Sequence, residues 1–206
     1  MNFKSFSFAP EIIQALDELN YHTLTPIQRA AIPAVRKGKD VLASAQTGTG
    51  KTAAFALPII QKLVESELST TNAPHALVLA PTRELAEQIA NNFRDFAKHT
   101  SLKVVSLFGG VSTAGQANAL KEGVDIVVAT PGRLFDHIRL GNLSLASVKH
   151  LVLDEADRML DMGFIEDMQN VIKSCAEERQ ILLFSATFPA AIKQFASKVL
   201  KQAEIV

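Results

Sequence analysis

The octapeptide Ala45-Gln46-Thr47-Gly48-Thr49-Gly50-Lys51-Thr52 follows directly on an apolar run at 41–44 and leads into a helical pattern, and it restricts the fold more than any other stretch of the chain. A turn holding Gly48 and Gly50 lets the backbone approach an anion with successive N–H groups pointing inward. A helix opening at that turn adds its positive end. The order strand, glycine-rich turn, lysine, hydroxyl, helix is that of a triphosphate cradle: Lys51 reaches the β- and γ-phosphates and the Thr52 hydroxyl is placed for Mg²⁺. Ala45 stands where the strict pattern has its first glycine. The alternative, an ordinary βα turn with a solvated lysine, needs neither the second glycine nor the Lys-Thr pair. At average residue usage, Gly-x-Gly-Lys-Thr occurs in fewer than about one random chain of this length in a hundred.

A cradle of this kind requires a parallel sheet, and the rest of the chain supplies one. Short β-branched runs at 41–45, 76–80, 103–108, 125–129, 150–153 and 180–184 alternate with helical stretches, which is the rhythm of an α/β fold. Runs such as Leu77-Val78-Leu79 and Ile126-Val127-Val128 are continuously apolar, so helices are expected on both faces of the sheet. At 11–19, Ile12, Ile13, Leu16 and Leu19 share one side, as do Leu85, Ile89, Phe93 and Phe96 at 84–97. These stripes read as core. The polar segment 66–74 reads as an exposed loop.

The 206 residues, 48% of them hydrophobic, suit one domain with a full core. Lys plus Arg equals Asp plus Glu at 21 each, so contact with a polyanion has to be local, made by helix ends and a few arginines. Cys175 has no partner for an internal disulfide, which suits a reducing cytoplasm, and reads as a small buried residue. The histidines His22, His75, His99, His137 and His150 lack ligand spacing. No apolar run is long enough for a membrane span, and the first residues do not open a signal peptide. The chain stops at Ala203-Glu204-Ile205-Val206 in what reads as the start of a strand, an ending expected of a fragment cut at a domain boundary.

A phosphate cradle needs an acidic partner for the metal and a base for water. Asp154-Glu155-Ala156-Asp157 follows the apolar strand 151–153. Carboxylates at the C-terminal end of a parallel strand open onto the ligand crevice, so Asp154 is expected to face Mg²⁺ and Glu155 the attacking water. Alone, such a tetrapeptide is more often a solvated helix start.

With these residues the sequence resembles the DEAD-box family of ATP-dependent RNA helicases, in their amino-terminal RecA-like domain. The resemblance runs from 3 to 187. It comprises the P-loop, Pro81-Thr82-Arg83-Glu84-Leu85-Ala86, Gly109-Gly110, Thr130-Pro131-Gly132-Arg133, the box 154–157 and Ser185-Ala186-Thr187, in the family's order. The opening resembles the bacterial RhlE-like subgroup. The resemblance implies a RecA-like P-loop NTPase domain, a mostly parallel central sheet with helices on both faces. Residues 1–30 would be the adenine-recognition region and 31–206 the P-loop core.

The individual motifs then carry implied roles beside plainer ones. Thr25-Pro26-Ile27-Gln28 has the make-up of a helix capping box. In the family the glutamine pairs with adenine, and an aromatic placed like Phe3 packs on the base. Gln28, with Tyr21 and Phe3 lining the base, would select ATP over GTP, because one amide matches the donor and acceptor of adenine. Leu24 stands where the family often has proline. Pro81-Thr82-Arg83 and Thr130-Pro131-Gly132-Arg133 are each readable as simple caps. In the family, together with Gly109 and Gly110, they track the sugar-phosphate backbone, which positions a strand without reading its bases. Ser185 and Thr187 would bond to Asp157 and couple the nucleotide state to the RNA side; a cap at a strand end is compatible with the same contacts.

The implied cofactors are ATP or ADP with Mg²⁺. The implied partners are RNA, bound without sequence preference, and a second RecA-like domain of the same polypeptide that supplies an arginine finger; the fragment itself is expected to be monomeric. Two rivals compete with this reading. A DNA helicase or unrelated P-loop ATPase is opposed by Gln28, Phe3 and Asp157, and a non-catalytic docking module by the intact Lys51, Thr52, Asp154 and Glu155.

Overall fold

The computed structural model describes residues 2–66 and 73–206, and within them the chain forms a parallel sheet wrapped on both sides by helices. After a 3₁₀ turn at Phe3–Phe6 come α1 (Pro10–Glu18), α2 (Pro26–Arg36), β1 (Val41–Ser44), α3 (Lys51–Glu65), β2 (Ala76–Leu79), α4 (Arg83–Ala97) and β3 (Val104–Leu107). They are followed by α5 (Thr113–Lys121), β4 (Ile126–Ala129), α6 (Pro131–Arg139), β5 (His150–Leu153), α7 (Ala156–Asp161), α8 (Ile165–Ser174), β6 (Gln180–Ser185), α9 (Ala190–Val199) and β7 (Glu204–Ile205). The strand order is β3-β4-β2-β5-β6-β1-β7, with every pairing parallel.

Alternation along the strands divides the interior in two. Val78, Val152, Leu182 and Phe184 face a core closed by α1 to α4. Their neighbours Leu77, Leu79, Leu151, Leu153, Ile181 and Leu183 face a second core under α5 to α9. Helix α3 is apolar almost all round, and its Phe55 ring lies 5.3 Å from Phe184 and 6.1 Å from Phe93. Truncating so enclosed a ring to alanine costs about 3–5 kcal/mol in comparable cores.

The expected strands are present with small shifts at their ends. Ala45, Ala80 and Phe108 fall just past their strands, and β6 runs on to include Ser185. The ladder fades there: Ala45 N–H still bonds Ser185 O at 3.2 Å and Ala80 N–H bonds Ala129 O at 2.9 Å, but each lies where its strand turns away. The strand expected at the last residues is β7, and Val206 N–H donates to Leu42 O at 3.0 Å. Cys175 is buried as expected, one residue beyond α8, and burial pushes its thiol up to about 11. Residues 67–72 of the expected 66–74 loop lie outside the described residues. No helix among the described residues is long and apolar enough to cross a membrane.

A polar cluster closes the end of the sheet opposite the glycine-rich turn. Gln180 donates to Val35 O (2.9 Å) and Lys39 O (2.6 Å), while its Oε1 meets His150 Nδ1 at 3.3 Å and Lys62 Nζ at 3.4 Å. Burial, followed by the charge of Lys62, lowers His150 to about 4; His75 and Lys149 push the same way and the Gln180 bond pushes back. The unfolded chain takes up this proton near pH 6.5. Between that pH and about 4 the unfolded state therefore binds a proton that the native state refuses, and stability falls as pH falls. We expect urea unfolding to show this loss, on the order of 3 kcal/mol at most, and His150→Gln to flatten that part of the pH profile. An unchanged profile in the variant would remove His150 as its cause.

Candidate active site

The glycine-rich turn leaves the C-terminal end of β1 and closes on itself through Thr49 Oγ1, which donates to Gln46 O at 2.7 Å. Gly48 and Gly50 both have φ of +81°, a region costly to residues with a side chain. Gly50 is the N-cap of α3 and supplies no side-chain cap, so the first N–H groups of a fifteen-residue helix open onto the turn. Lys51, the first helical residue, is buried.

Lys51 is turned toward the acids that follow β5. Its Nζ lies 2.9 Å from Asp154 Oδ1 and 3.9 Å from Glu155 Oε1. Strand β6 separates β1 from β5, so the two strand axes are about 10 Å apart. The lysine bridges that gap over the end of β6. Asp154 is fully buried, and burial raises its pKa against the opposing pull of Lys51. Its Oδ1 also accepts from the Glu155 N–H at 2.9 Å, whereas the buried Oδ2 has no hydrogen-bond partner among the described residues. An unpartnered buried carboxylate oxygen beside a phosphate-shaped turn fits a hard cation such as Mg²⁺.

Glu155 adopts φ 51°, ψ 51°, left-handed backbone that costs a residue other than glycine about 1–2 kcal/mol. Such conformations collect at functional sites, and this one starts α7 while leaving the Glu155 carboxylate 3.9 Å from Lys51. Asp157 accepts from the Thr187 hydroxyl (2.8 Å) and the Thr187 N–H (3.0 Å). Ser185 Oγ accepts from Asp157 N–H at 3.2 Å and donates to Thr187 O at 2.7 Å. Burial pushes the Asp157 carboxyl up, but the bonds from Thr187, Arg158 and Ser185 together hold it below the usual range.

The capping box at Thr25 is formed: Gln28 Oε1 accepts from Thr25 N–H at 3.0 Å and Gln28 N–H reaches Thr25 Oγ1 at 3.5 Å. Gln28 does more than cap, because its Nε2 donates to Gly50 O at 3.1 Å and ties α2 to the turn. A cavity of about 630 Å³ lies against Thr25, Pro26, Ile27, Gly48, Thr49 and Ala186. Phe3 and Tyr21, expected beside Gln28, line a separate cavity of about 150 Å³ with Leu16, Asp17 and His22. Their rings sit 6.2 Å apart, Tyr21 packs edge-on against Phe96 at 5.7 Å, and Phe3 is buried while Tyr21 is 38% exposed.

On the other half of the same rim, Arg83 is exposed and its guanidinium lies 5.0 Å from the Phe108 ring centroid. Gly110 has φ +80°, a left-handed backbone that favours glycine, and a Cβ there would stand 2.8 Å from Nη1 of the flexible Arg83 side chain. Thr82 caps α4, accepting from Leu85 N–H at 3.3 Å, while Thr130 makes no side-chain cap on α6. Arg133 differs from Arg83: its Nη1 donates to Val111 O and Gln116 Oε1, both at 3.0 Å. Sequence reasoning overlooked Gln116 and the buried His137 beneath it. The one available signal was a polar amide whose helical neighbours are small residues and a leucine, which by itself indicates nothing about a site.

A doubly wound parallel sheet, with a glycine-rich turn and two acids meeting at its C-terminal rim, defines a RecA-like P-loop domain. The DEAD/DEAH box helicase family matches residues 25–195, and the chain belongs to that family. It is 48% identical over 205 residues to ATP-dependent RNA helicase DeaD of Escherichia coli (strain K12), covering 99% of this chain and 32% of that protein. It is likewise 48% identical over 201 residues to ATP-dependent RNA helicase DeaD of Buchnera aphidicola subsp. Acyrthosiphon pisum, covering 96% and 33%. The crystal structure of a DEAD box protein from the hyperthermophile Methanococcus jannaschii matches with a TM-score of 0.91 at 39% identity, over 100% of this chain and 55% of that one. The chain thus spans about a third of the length of these curated relatives.

The two cradle glycines should respond differently to a methyl group although they share a φ. Gly48→Ala meets nothing within 4 Å and should lose only the backbone cost, about 1–2 kcal/mol. In Gly50→Ala the Cβ would stand 2.5 Å from Gln28 Nε2 and 3.0 Å from Thr25 Oγ1. Gln28 is buried and held at both ends of its amide, so a further loss of about 1–3 kcal/mol is expected. Urea unfolding of the two variants measures the difference, and equal stabilities would refute the Gln28 contact.

Proposed function

We propose that this chain is the ATP-binding half of an ATP-dependent RNA helicase, with Mg-ATP hydrolysis coupled to RNA binding and local duplex separation in the whole protein. The observation that carries the reading is the convergence of Lys51, Asp154 and Glu155 at the mouth of the glycine-rich turn. Residues 45–52 hold the phosphates through backbone N–H groups and the Lys51 ammonium. Thr52 and Asp154 hold Mg²⁺ directly or through water; the ion, when bound, neutralises charge on the β- and γ-phosphates. Glu155 takes the proton of the attacking water as general base. Gln28, held against the turn, reads the adenine edge with its remaining N–H and lone pair, and Tyr21 and Phe3 support the base region. Asp157, Ser185 and Thr187 link the acids after β5 to the end of β6.

RNA lies along Pro81, Thr82, Arg83, Gly109, Gly110, Thr130, Pro131, Gly132 and Arg133. The contacts there come from helix ends and glycine backbone and go to the sugar-phosphate strand, so base sequence matters little. Residues 1–30 form the adenine-recognition region and 31–206 the P-loop core of the first RecA-like domain, in a cytoplasmic protein. A second RecA-like domain of the same polypeptide completes the site with an arginine finger. Absence of such a finger costs on the order of 10³ to 10⁵ in rate, so the monomeric 206-residue chain binds nucleotide weakly and turns over little.

Calorimetric titration of this chain with ADP and ATP in Mg²⁺ tests the nucleotide site: binding should appear and be abolished by Lys51→Ala. In the full-length protein, Glu155→Gln should retain ATP and RNA binding while RNA-stimulated hydrolysis stops. Unchanged turnover in that variant would take Glu155 out of the base role. Stimulation by DNA as strong as by RNA would move the protein to another helicase class.

A further inference from the structure

Beneath the exposed loop between β3 and α5 lies a side-chain network that contacts neither the glycine-rich turn nor the acids after β5. At its centre is Gln116 of α5, only 8% exposed, with its amide turned into the protein. Its Nε2 donates to Phe108 O at 2.9 Å, and its Oε1 accepts from both Arg133 Nη1 (3.0 Å) and His137 Nε2 (2.9 Å). The same Arg133 nitrogen donates to Val111 O at 3.0 Å, and Arg133 Nε faces Asp136 at 3.6 Å. His137 is fully buried, and its other nitrogen pairs with Asn142 Nδ2 at 3.2 Å, which leaves Nε2 as the protonated position. One amide therefore grips the carbonyl before Gly109-Gly110 directly and the carbonyl after it through Arg133.

This arrangement separates the two arginines of the rim. Arg83 is exposed, whereas the Arg133 side chain is 13% exposed and its Nη1 serves two internal acceptors. Between them Gly109 and Gly110 are exposed and offer only backbone. We propose that Gln116 is a positioning residue for RNA binding: it holds the Gly109-Gly110 loop in the shape that presents backbone N–H groups to the sugar-phosphate strand. Arg133 acts through the same network, its guanidinium directed inward to the loop carbonyls instead of onto a phosphate. The inference rests on the RNA reading given above. It adds that this part of the track is shaped by hydrogen bonds made inside the protein, which salt screens less than it screens exposed charge contacts.

The test uses this chain, a single-stranded oligouridylate as probe, and NMR titration at several salt concentrations. In the wild type the Gly109 and Gly110 amide signals should shift on adding the oligomer. Gln116→Met, close in shape but unable to serve Phe108 O, Arg133 or His137, should move those two signals in the free protein and weaken RNA binding roughly tenfold. Its affinity for ADP should stay unchanged, which a general loss of folding would not allow. Gln116→Glu keeps the acceptor for Arg133 and His137 but loses the donor to Phe108 O, and should bind with intermediate affinity. Arg133→Met should weaken binding without altering the slope of log K against log salt; a direct phosphate contact would instead reduce the slope by about 0.7.

Full RNA affinity in Gln116→Met overturns the inference, as does a slope reduced by that amount in Arg133→Met. If Gln116→Met fails to fold, full affinity in Gln116→Glu overturns it equally. A wild-type chain with no affinity for the oligomer would overturn the RNA reading itself, and this inference with it.

Discussion

The ion pair between Lys51 and Asp154 is the constraint on which the rest of the molecule depends. A fully buried carboxylate cannot keep its charge without a close counterion, and Lys51 at 2.9 Å is that counterion. Pairs of this kind add little net stability, but losing one partner strands the other and costs about 3–5 kcal/mol. The pair therefore acts as a clamp. It fixes the start of α3 relative to the end of β5 across an intervening strand, and the glycine-rich turn, the left-handed Glu155 and the Asp157 bonds to Thr187 are arranged around it.

Much of this was legible in the chain because the signals were redundant. A glycine-rich turn followed by Lys-Thr demands a strand before it and a helix after it, and continuous apolar runs demand cover on both faces. The two cores and the all-parallel sheet are the answer to those demands. The position of β6 between β1 and β5 could not be read from periodicity, since strand order leaves no local trace in the residues. The meeting of Lys51 with Asp154, 103 positions apart in the chain, was inferred from the chemistry each would need and not from any pairing signal.

What escaped was of another kind. The contact of Gln28 with Gly50 O, 22 positions away, and the grip of Gln116 on the 109–110 loop, 8 positions away, are side-chain hydrogen bonds that leave no periodic trace, made by amides that read equally well as caps or solvated side chains. The inward turn of Arg133 was hidden for the same reason: an arginine at a helix start has one spelling whether it faces a ligand or a carbonyl. Phe3 and Tyr21, expected to line the base, border a cavity next to the one beside the glycine-rich turn, with Phe3 buried and Tyr21 half-exposed and edge-on against Phe96.

The all-parallel sheet places the ends of its strands along a single rim, with the glycine-rich turn after β1 and the Arg83, Gly110 and Arg133 surface beyond β2, β3 and β4. Four inter-strand steps separate β1 from β4 in that order, or about 19 Å. Backbone hydrogen bonds hold that spacing, so the sheet works as a ruler whose two marks cannot slide toward each other. Communication between the marks has to run through the side chains standing on the intervening strand ends, of which the Asp157 and Thr187 pair is one, or through a second body broad enough to rest on both at once.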